Sequence, residues 1–168
     1  MLHTDKDHDD HIVHSKDGTF KERVGGKLFS KYTQLALENQ VWLSLGSFPE
    51  SVEGKPEMTY QTHCIINDEG NIAAKYRKMH MFDVNFEDTD NLIAEESRMN
   101  QMGNALAEPC FSPVGYLGLS ISYDLRFPEL YRQMILRGAQ VLLVPSAFLS
   151  KTGSSHWETL IRTRAIEN

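Results

Sequence analysis

Ser122 stands at a position where a protein can hold a nucleophile. It ends the apolar run from Leu117, and the residues Tyr-Asp-Leu-Arg-Phe-Pro-Glu follow it at once. This pattern predicts a buried strand that turns sharply into a helix, with Ser122 at the bend. A side chain at such a bend is held outward by a rigid strand, next to backbone N–H groups of the helix start. The position therefore suits a nucleophile whose reaction forms an oxyanion, since those N–H groups can stabilise it.

Lys78 lies in the second segment that can contribute to chemistry. It belongs to the run Tyr76 to Asp83, which leaves the end of a predicted hairpin strand. A cation at that place can stabilise developing negative charge. Taken alone, however, a lysine at a strand end is most often solvated. Its functional interpretation depends on the motif that surrounds it.

The first half of the chain predicts the elements that position Lys78. Apolar residues recur at helical spacing from 25 to about 39, which predicts a helix. The run Val41–Phe48 predicts a buried strand, followed by a Gly/Pro/Glu loop. Two further strands flank Asn67–Gly70, whose residues favour a hairpin turn. The polar stretch from about 85 to 106 has weak periodicity and predicts a long loop.

The second half of the chain predicts strand, helix, strand and helix. The strand that ends at Ser122 precedes an amphipathic helix, which Gly138 closes at its C-terminus. The short run Val141–Pro145 predicts a further strand, and a helix with Trp157 on its apolar side begins at about Ser155. Strands and helices alternate without a fixed repeat, which is typical of α/β architecture.

Composition and charge exclude several classes of protein. The 168 residues are 40% hydrophobic and carry a net charge of −6, which suits one globular domain and gives no reason to expect a nucleic-acid partner. No apolar run approaches the ~20 residues that cross a bilayer, so no membrane partner is expected. The two cysteines, Cys64 and Cys110, are too few for a disulfide framework, and a reducing, cytoplasmic location is expected.

We expect residues 1–24 to be a polar, disordered tail. They are rich in His, Asp and Lys and have scarcely any apolar periodicity. The side chains that could be drawn as a metal site are His3, His8, His11 and His14 with Asp5, Asp7, Asp9 and Asp10. Metal sites need ligands that a scaffold fixes, and nothing in this segment supplies one. A solvated tail is the favoured interpretation, and no metal is expected.

Several ordered motifs resemble those of the nitrilase superfamily of carbon–nitrogen hydrolases. YRKMHMFD, at 76–83, looks like the lysine motif of that superfamily, and ISYDLRFPEL, at 121–130, looks like its nucleophile motif. PSAF, at 145–148, and HWETLIRTRAIEN, at 156–168, match the pattern that follows. The segment 25–48 is especially similar to the branch of amidases that act on deaminated glutathione.

This resemblance implies an α/β fold, an αββα sandwich over residues 25–168 that is incomplete at both ends. It also implies a triad of glutamate, lysine and cysteine, without a metal or an organic cofactor. In that chemistry the glutamate is the general base, the cysteine attacks an amide carbonyl, and the lysine stabilises the tetrahedral oxyanion. Ammonia leaves, and water then releases the carboxylic acid. The implied substrate is a small ω-amide such as deaminated glutathione.

The resemblance also assigns catalytic roles to individual residues. Lys78 takes the lysine role, and the backbone N–H of Tyr123 takes part in binding the oxyanion. Glu96 matches the second glutamate, which positions the substrate and orders the site. That assignment falls in a poorly patterned loop, and Glu95 is the alternative one position away.

Further residues near these motifs are candidate substrate contacts. Ser146 and Phe148, in the loop after the strand at 141–145, are candidates for the pocket wall. Arg126 and Glu129 are also candidate contacts, and for this pair internal ion pairing that fixes the turn is the favoured interpretation.

Two departures from the family pattern bear on activity. Serine stands at position 122 in place of cysteine, and a hydroxyl is a far weaker acid than a thiol and needs a strong adjacent base. The general base is also missing, because Pro49-Glu50 follows the wrong strand and nothing before Gly25 resembles a strand ending in Pro-Glu. We therefore expect this chain to be inactive or very weak. Serine-hydrolase chemistry is the least favoured alternative, since no His/Asp relay is visible at a motif-like spacing.

The chain is expected to start downstream of the base-carrying strand and to stop inside a helix, at Asn168. A sandwich that lacks strands exposes apolar faces and unpaired strand edges. We therefore expect a homodimer, or pairing with another family member. The alternative function is non-catalytic: a homologue or fragment that binds a small amide, or that docks through the helix bearing Trp157. A full-length form is expected in the cytoplasm or in mitochondria.

Overall fold

The computed structural model describes residues 12–14, 20–22, 26–86 and 92–168. Within these ranges the strands are β1 Ile12–His14, β2 Phe20–Glu22, β3 Leu43–Val52, β4 Lys55–Ile66, β5 Ile72–Arg77, β6 Asp83–Phe86, β7 Leu92–Glu95, β8 Cys110–Ser112, β9 Gly115–Leu119 and β10 Val141–Leu143. The helices are α1 Lys27–Asn39, α2 Pro128–Leu136, α3 Ser150–Thr152 and α4 Glu158–Glu167. Two 3₁₀ turns cover Glu96–Arg98 and Ser122–Arg126, and a π-turn covers Gly153–Trp157.

The strands form three sheets. The largest has the order β1-β2-β3-β4-β5, and its β3, β4 and β5 are antiparallel neighbours. The second has the order β10-β9-β8, with β10 parallel and β8 antiparallel to the central β9. The third is the hairpin of β6 and β7. The crossover from β9 to β10 runs through α2, as parallel neighbours require.

Three apolar clusters arrange these elements in four layers. The cluster between the two larger sheets contains Ile65, Tyr76, Cys110, Leu117, Leu119 and Ile121. Cys64 and Ile66, which alternate with Ile65 on β4, pack instead with Phe29 and Ala36 of α1. The third cluster joins α2, through Leu130, Tyr131 and Met134, to apolar residues of α4. The order is therefore helix, sheet, sheet, helix.

The local predictions for the first helix and hairpin are confirmed. The helix α1 ends at Asn39, and Gln40 caps it in the left-handed conformation, with its N–H bonded to carbonyls of the last turn. The hairpin between β4 and β5 turns at Asn67–Gly70. The Asn67 side chain accepts hydrogen bonds from the N–H groups of Glu69 and Asn71, at 3.2 and 2.7 Å. This Asx geometry explains why the turn could be predicted.

The prediction for the third strand is wrong in its extent and burial. β3 does not end at Phe48 but continues through Pro49-Glu50 to Val52, where the expected loop would lie. It is half-buried over much of its length, because Leu43, Leu45 and Phe48 pack against the α1 cluster, whereas Gly46 and Ser47 line a cleft of about 860 Å³. Pro49 pairs with Gln61 of β4, with register shifts on either side of this part of the ladder.

Two further boundaries differ from the predictions. The expected long loop from 85 to 106 contains the hairpin of β6 and β7 and the 3₁₀ turn at 96–98. The last helical segment begins at Ser150, not at 155, and passes through the π-turn before α4. Of the predicted tail, only β1 and β2 fall within the described residues, and the rest lies outside them.

Close backbone approach joins the two larger sheets beside the cleft. A Cβ added at Gly46 of β3 would lie 2.2 Å from the Pro145 side chain, so only glycine fits there.

None of the helices in the described parts of the chain is long and apolar enough to cross a bilayer. The same parts hold no group of three or more His, Cys, Asp or Glu side chains arranged for a metal ion.

Candidate active site

The strand β9 leads into a sharp backbone bend at Ser122. Ile121 is extended, whereas Ser122 has φ of 46°, a conformation that non-glycine residues seldom adopt. The Ser122 N–H donates to the carbonyl of Pro145 at 3.0 Å, which ties the bend to the end of β10. The 3₁₀ turn Ser122–Arg126 begins here, so the predicted strand-to-helix bend is present. Strained residues of this kind cluster at active sites.

Lys78 lies just after β5 and is 3% exposed. Its ammonium contacts Oε2 of Glu96, and the same oxygen accepts a hydrogen bond from the Phe82 N–H at 2.7 Å. The Lys78 backbone is held on both sides, since its N–H donates to Gln61 and its carbonyl accepts from Gly103. The structure therefore brings together a fixed cation and a carboxylate that is already hydrogen-bonded.

The geometry distinguishes the two adjacent glutamates. Glu96 faces Lys78, whereas the carboxylate of Glu95 pairs with Arg98 on the same turn. Asn100 helps to hold Glu96 in place, because its N–H donates to the Glu96 carbonyl at 3.0 Å. Between the two candidates for the second glutamate, the contacts of the lysine favour Glu96.

One cleft of about 860 Å³ is lined by the candidate site residues except Glu129. Those residues are Lys78, Glu96, Ser122, Tyr123, Arg126, Ser146 and Phe148. Gly46, Ser47 and Gln61 line the same cleft. Phe148 packs edge-on against Trp157, with ring centroids 5.1 Å apart, and the Ser146 hydroxyl donates to the Val144 carbonyl at 3.1 Å. A volume of this size accommodates a small organic substrate.

The predicted ion pairing of Arg126 with Glu129 is not formed. Glu129 is exposed on α2, and the Arg126 guanidinium donates instead to Nδ1 of His156 at 3.1 Å. Arg126 also lies over the Tyr123 ring, 5.9 Å from its centroid. The side chain is thus oriented toward the cleft wall by neighbours other than a carboxylate.

Asp124 is the residue that fixes the bend, and sequence reasoning missed it. It is fully buried. Its Oδ2 accepts from the Ile121 N–H at 2.9 Å and from the Tyr76 hydroxyl at 2.8 Å, and its Oδ1 lies 2.7 Å from Nδ1 of His80. One carboxylate thereby links the segment of Lys78 to the segment of Ser122. The sequence feature that could have identified Asp124 is an acidic residue at the third position of a helical turn. Such a side chain can accept a hydrogen bond from the backbone N–H of the residue that precedes the turn.

Asp124 and His80 form a His/Asp pair, which sequence spacing did not reveal. His80 stacks on Phe127, with ring centroids 3.7 Å apart. It is not among the residues that line the cleft. Its position supports a structural role at the bend and not the relay of a serine hydrolase.

The two cysteines do not substitute for a nucleophile at position 122. Both are buried and unpaired, and neither lines the cleft. Burial, together with the charge of Glu50, raises the pKa of Cys64 to about 12, and burial raises the pKa of Cys110 as well. A thiol with a raised pKa is unreactive near neutral pH.

Glu50 is likewise unavailable as a general base. Its carboxylate accepts hydrogen bonds from Thr62 at 2.6 Å and from the Arg77 guanidinium at 2.7 and 2.8 Å, and it pairs with Lys75. Burial alone raises the pKa of Glu50, but the Arg77 hydrogen bond and its other partners outweigh burial and hold that pKa below its usual value. Glu50 does not line the cleft. It therefore acts within β3, β4 and β5 as a structural ion pair.

His63 joins the two larger sheets directly behind the bend. It is fully buried, its Nδ1–H donates to the Ser120 carbonyl at 3.1 Å, and its Nε2 accepts from the Ser44 hydroxyl at 2.8 Å. This arrangement suits a neutral imidazole that carries its proton on Nδ1. Burial lowers the pKa of His63, and the bond to Ser120 only partly opposes that shift.

We predict that stability falls as the pH drops from 7.5 to 5.5. In the unfolded chain the His63 imidazole takes up a proton as the pH falls through ~6.5, whereas in the folded protein it does so only at a lower pH. The contribution of His63 to the free energy of unfolding is therefore fully present above pH ~6.5 and is lost as the pH falls below that value. The loss should be about 1 kcal/mol by urea unfolding at the two pH values. His63→Gln should flatten this dependence, whereas His156→Gln, at an exposed position, should retain it. An unchanged slope in His63→Gln would contradict the assignment.

Comparisons with known proteins agree with the motifs. The family model for carbon-nitrogen hydrolases matches residues 10–168. A deaminated glutathione amidase of Dictyostelium discoideum is 48% identical over 160 residues, which are 94% of this chain and 54% of that protein. The human deaminated glutathione amidase is 43% identical over 148 residues, covering 87% of this chain and 45% of that protein. The chain thus spans about half the length of these curated relatives.

A solved structure shares the fold. The crystal structure of the Caenorhabditis elegans NitFhit protein has a TM-score of 0.78 and 42% identity, and the match covers 86% of this chain and 34% of that one. The predicted α/β class and the predicted superfamily are confirmed. On the family match, which runs over most of its length, the chain belongs to the carbon–nitrogen hydrolase family.

Proposed function

We propose that this chain carries the amide-binding cleft of a hydrolase that acts on the C–N bond of a small ω-amide such as deaminated glutathione. One observation supports this proposal above the others: Lys78, Glu96 and Ser122 line the same cleft. The similarity to deaminated glutathione amidases, at 48% and 43% identity, supports the choice of substrate class.

The chemistry assigned to each group follows from its surroundings. The substrate carbonyl oxygen is bound by the Lys78 ammonium and the Tyr123 N–H, which stabilise the negative charge of a tetrahedral intermediate. Attack forms a bond from the group at position 122 to the carbonyl carbon, and that group's proton passes to a base. The amide nitrogen then takes up a proton, the C–N bond breaks, and ammonia leaves an acyl group on the protein. Water then attacks the acyl group and releases the carboxylic acid. The Glu96 carboxylate lies against the Lys78 side chain and holds it at the cleft wall.

Turnover by this chain is proposed to be very weak. A serine hydroxyl needs a strong base within hydrogen-bond reach. Among the described residues the carboxylates that line the cleft are Glu95 and Glu96, and both are already paired with cations. The cleft then binds the amide without hydrolysing it at an appreciable rate. A non-catalytic homologue that binds a small amide is the alternative function, and the same cleft supports it.

The proposal is tested with the purified chain and glutaramate, the monoamide of glutaric acid. We expect measurable binding by calorimetry, with ammonia release at background and no acyl group on Ser122 by intact mass. Lys78→Met should weaken binding at least tenfold, since it removes a cationic donor and leaves the charge of Glu96 facing the carbonyl oxygen. Lys31→Met, exposed on α1, is the matched control and should bind as the wild type does. Binding that Lys78→Met leaves unchanged would overturn the site, and rapid ammonia release would overturn the proposed weakness.

We also propose that the chain pairs with a second copy or with another family member, in the cytoplasm or, in a full-length form, in mitochondria. Large apolar side chains that a partner could cover are exposed on several elements: Phe111, Val114, Leu136 and Ile166. A related protein in C. elegans is named a nitrilase and fragile histidine triad fusion, which supports association with further polypeptide. Light scattering coupled to size exclusion tests the pairing, and a monomer at all concentrations would contradict it.

A further inference from the structure

Ser44 and His63 form a hydrogen-bonded pair, and neither residue lines the candidate cleft. Ser44 is exposed on β3, and its Oγ lies 2.8 Å from Nε2 of His63 on β4. Nδ1 of His63 in turn lies 3.1 Å from the carbonyl oxygen of Ser120, which follows β9. A nucleophile within hydrogen-bond reach of a base, with the base oriented by a third group, is the arrangement that activates a serine hydroxyl.

We propose that Ser44 is a second nucleophile of this chain, activated by His63, and that it takes the acyl group of small apolar esters. This activity goes beyond the proposed hydrolysis of an ω-amide, because it uses neither Lys78 nor Ser122. The Ser120 carbonyl can only accept a hydrogen bond, so it holds the imidazole proton on Nδ1 and leaves Nε2 as the acceptor of the Ser44 hydroxyl. Burial lowers the pKa of His63, so the ring is neutral near pH 7 and Nε2 can take up a proton.

A cavity that Ser44 lines fits the apolar part of such an ester. Its volume is about 380 Å³, and its lining comprises residues of α1 and the run of β3 from Ser44 to Pro49. The rings of Phe29 and Phe48, with centroids 5.8 Å apart, belong to this lining. The described residues that line the cavity include no charged side chain. A cavity of this size and character favours a small, uncharged ligand with an apolar acyl or aryl group.

Water is the co-reactant that the reaction needs. The Ser44 Oγ attacks the ester carbonyl carbon while its proton passes to Nε2 of His63. The bond from that carbon to the alcohol oxygen then breaks, the oxygen takes the proton from His63, and the alcohol leaves. Water attacks the acyl group on Ser44 by the same route and releases the acid. A backbone carbonyl stabilises the imidazolium less than a carboxylate does, so the substrates are esters with good leaving groups, such as phenyl esters.

The test uses diisopropyl fluorophosphate, an uncharged probe from whose phosphorus an activated serine displaces fluoride. We expect intact mass to show one adduct on the purified chain and peptide mapping to place it on Ser44. Ser44→Ala should abolish the adduct. Ser154→Ala is the matched control, because Ser154 is exposed and its hydroxyl donates to the Lys151 carbonyl at 3.1 Å and not to a base. This variant should be labelled at the wild-type rate. No adduct, or an adduct confined to Ser122, would overturn the proposal.

The role of His63 is tested by the rate of labelling. His63→Gln should lower that rate at least about 100-fold, since general-base catalysis typically contributes about 10²–10⁴-fold. Because His63 is fully buried and its replacement also alters packing, a second measurement uses the wild-type chain alone. Labelling should be slower in D₂O than in H₂O, because the hydroxyl proton moves to the imidazole during attack. Equal rates in the two solvents, or labelling of His63→Gln at the wild-type rate, would overturn the activation of Ser44 by His63.

Discussion

Ser122→Cys should create a thiol that iodoacetamide alkylates at least about 100-fold faster than Cys64. The introduced side chain lines the cleft at the start of a 3₁₀ turn, and Lys78 lines the same cleft. Backbone N–H groups and a cation both favour the thiolate. Cys64 is buried, with its pKa raised to about 12, so almost none of it is ionised at neutral pH. Peptide mapping after timed alkylation measures the ratio.

A cleft thiol at another position separates the effect of the bend from simple exposure. Ser146→Cys places a thiol on the same cleft, in the loop after β10. We expect the thiol at position 122 to be alkylated several times faster than the one at 146 at pH 6.5, where only an activated thiol is ionised. Equal rates at that pH would show that the bend gives no activation.

The Ser122→Cys variant should not release ammonia from glutaramate above background. A thiolate can attack the amide, but the cleft carboxylates Glu95 and Glu96 are paired with Arg98 and Lys78, so neither is free to shuttle the proton. Steady turnover by Ser122→Cys would mean that a carboxylate of this chain serves as the base. That result would contradict the proposed reason for weak activity.

The sequence predicted those parts of the site that depend on neighbours in the chain. The bend at Ser122 was predictable because an apolar strand, a polar turn and a proline-started helix follow one another directly. The turn at Asn67 was predictable because its own side chain makes the decisive hydrogen bonds. In both cases the information lies within about ten residues.

The features that sequence reasoning missed depend on distant partners. The extension of β3 through Glu50 is stabilised by Arg77, 27 residues away, so a loop forecast from the Pro-Glu pair was wrong. The hydrogen bond between Asp124 and the His80 backbone spans 44 residues. Neither pairing has a periodic signal, because a single buried ion or hydrogen bond imposes no pattern on the chain. The fold class was therefore accessible from sequence, whereas the polar network beneath the site was not.

Asp124→Ala should lower the free energy of unfolding by about 3–5 kcal/mol. The substitution leaves the Tyr76 hydroxyl and the Ile121 N–H buried without their acceptor and removes the partner of His80. Such a loss is a large share of the ~5–15 kcal/mol that stabilises a typical domain. Urea unfolding measures it, and Asp124→Asn, which retains one acceptor oxygen, should lose less. Glu129→Gln, at an exposed position on α2, should change stability by no more than about 0.5 kcal/mol.

A double-mutant cycle identifies the origin of the loss. If Asp124 stabilises the fold by accepting from Tyr76, then Tyr76→Phe removes the same hydrogen bond from the other side. The double variant Asp124→Ala with Tyr76→Phe should therefore lose about 1 kcal/mol less than the sum of the two single losses. Additive losses would mean that the two groups stabilise the bend independently. In that case the link between the segments of Lys78 and Ser122 would rest on His80 and Ile121 instead, because these are the other partners of the same carboxylate.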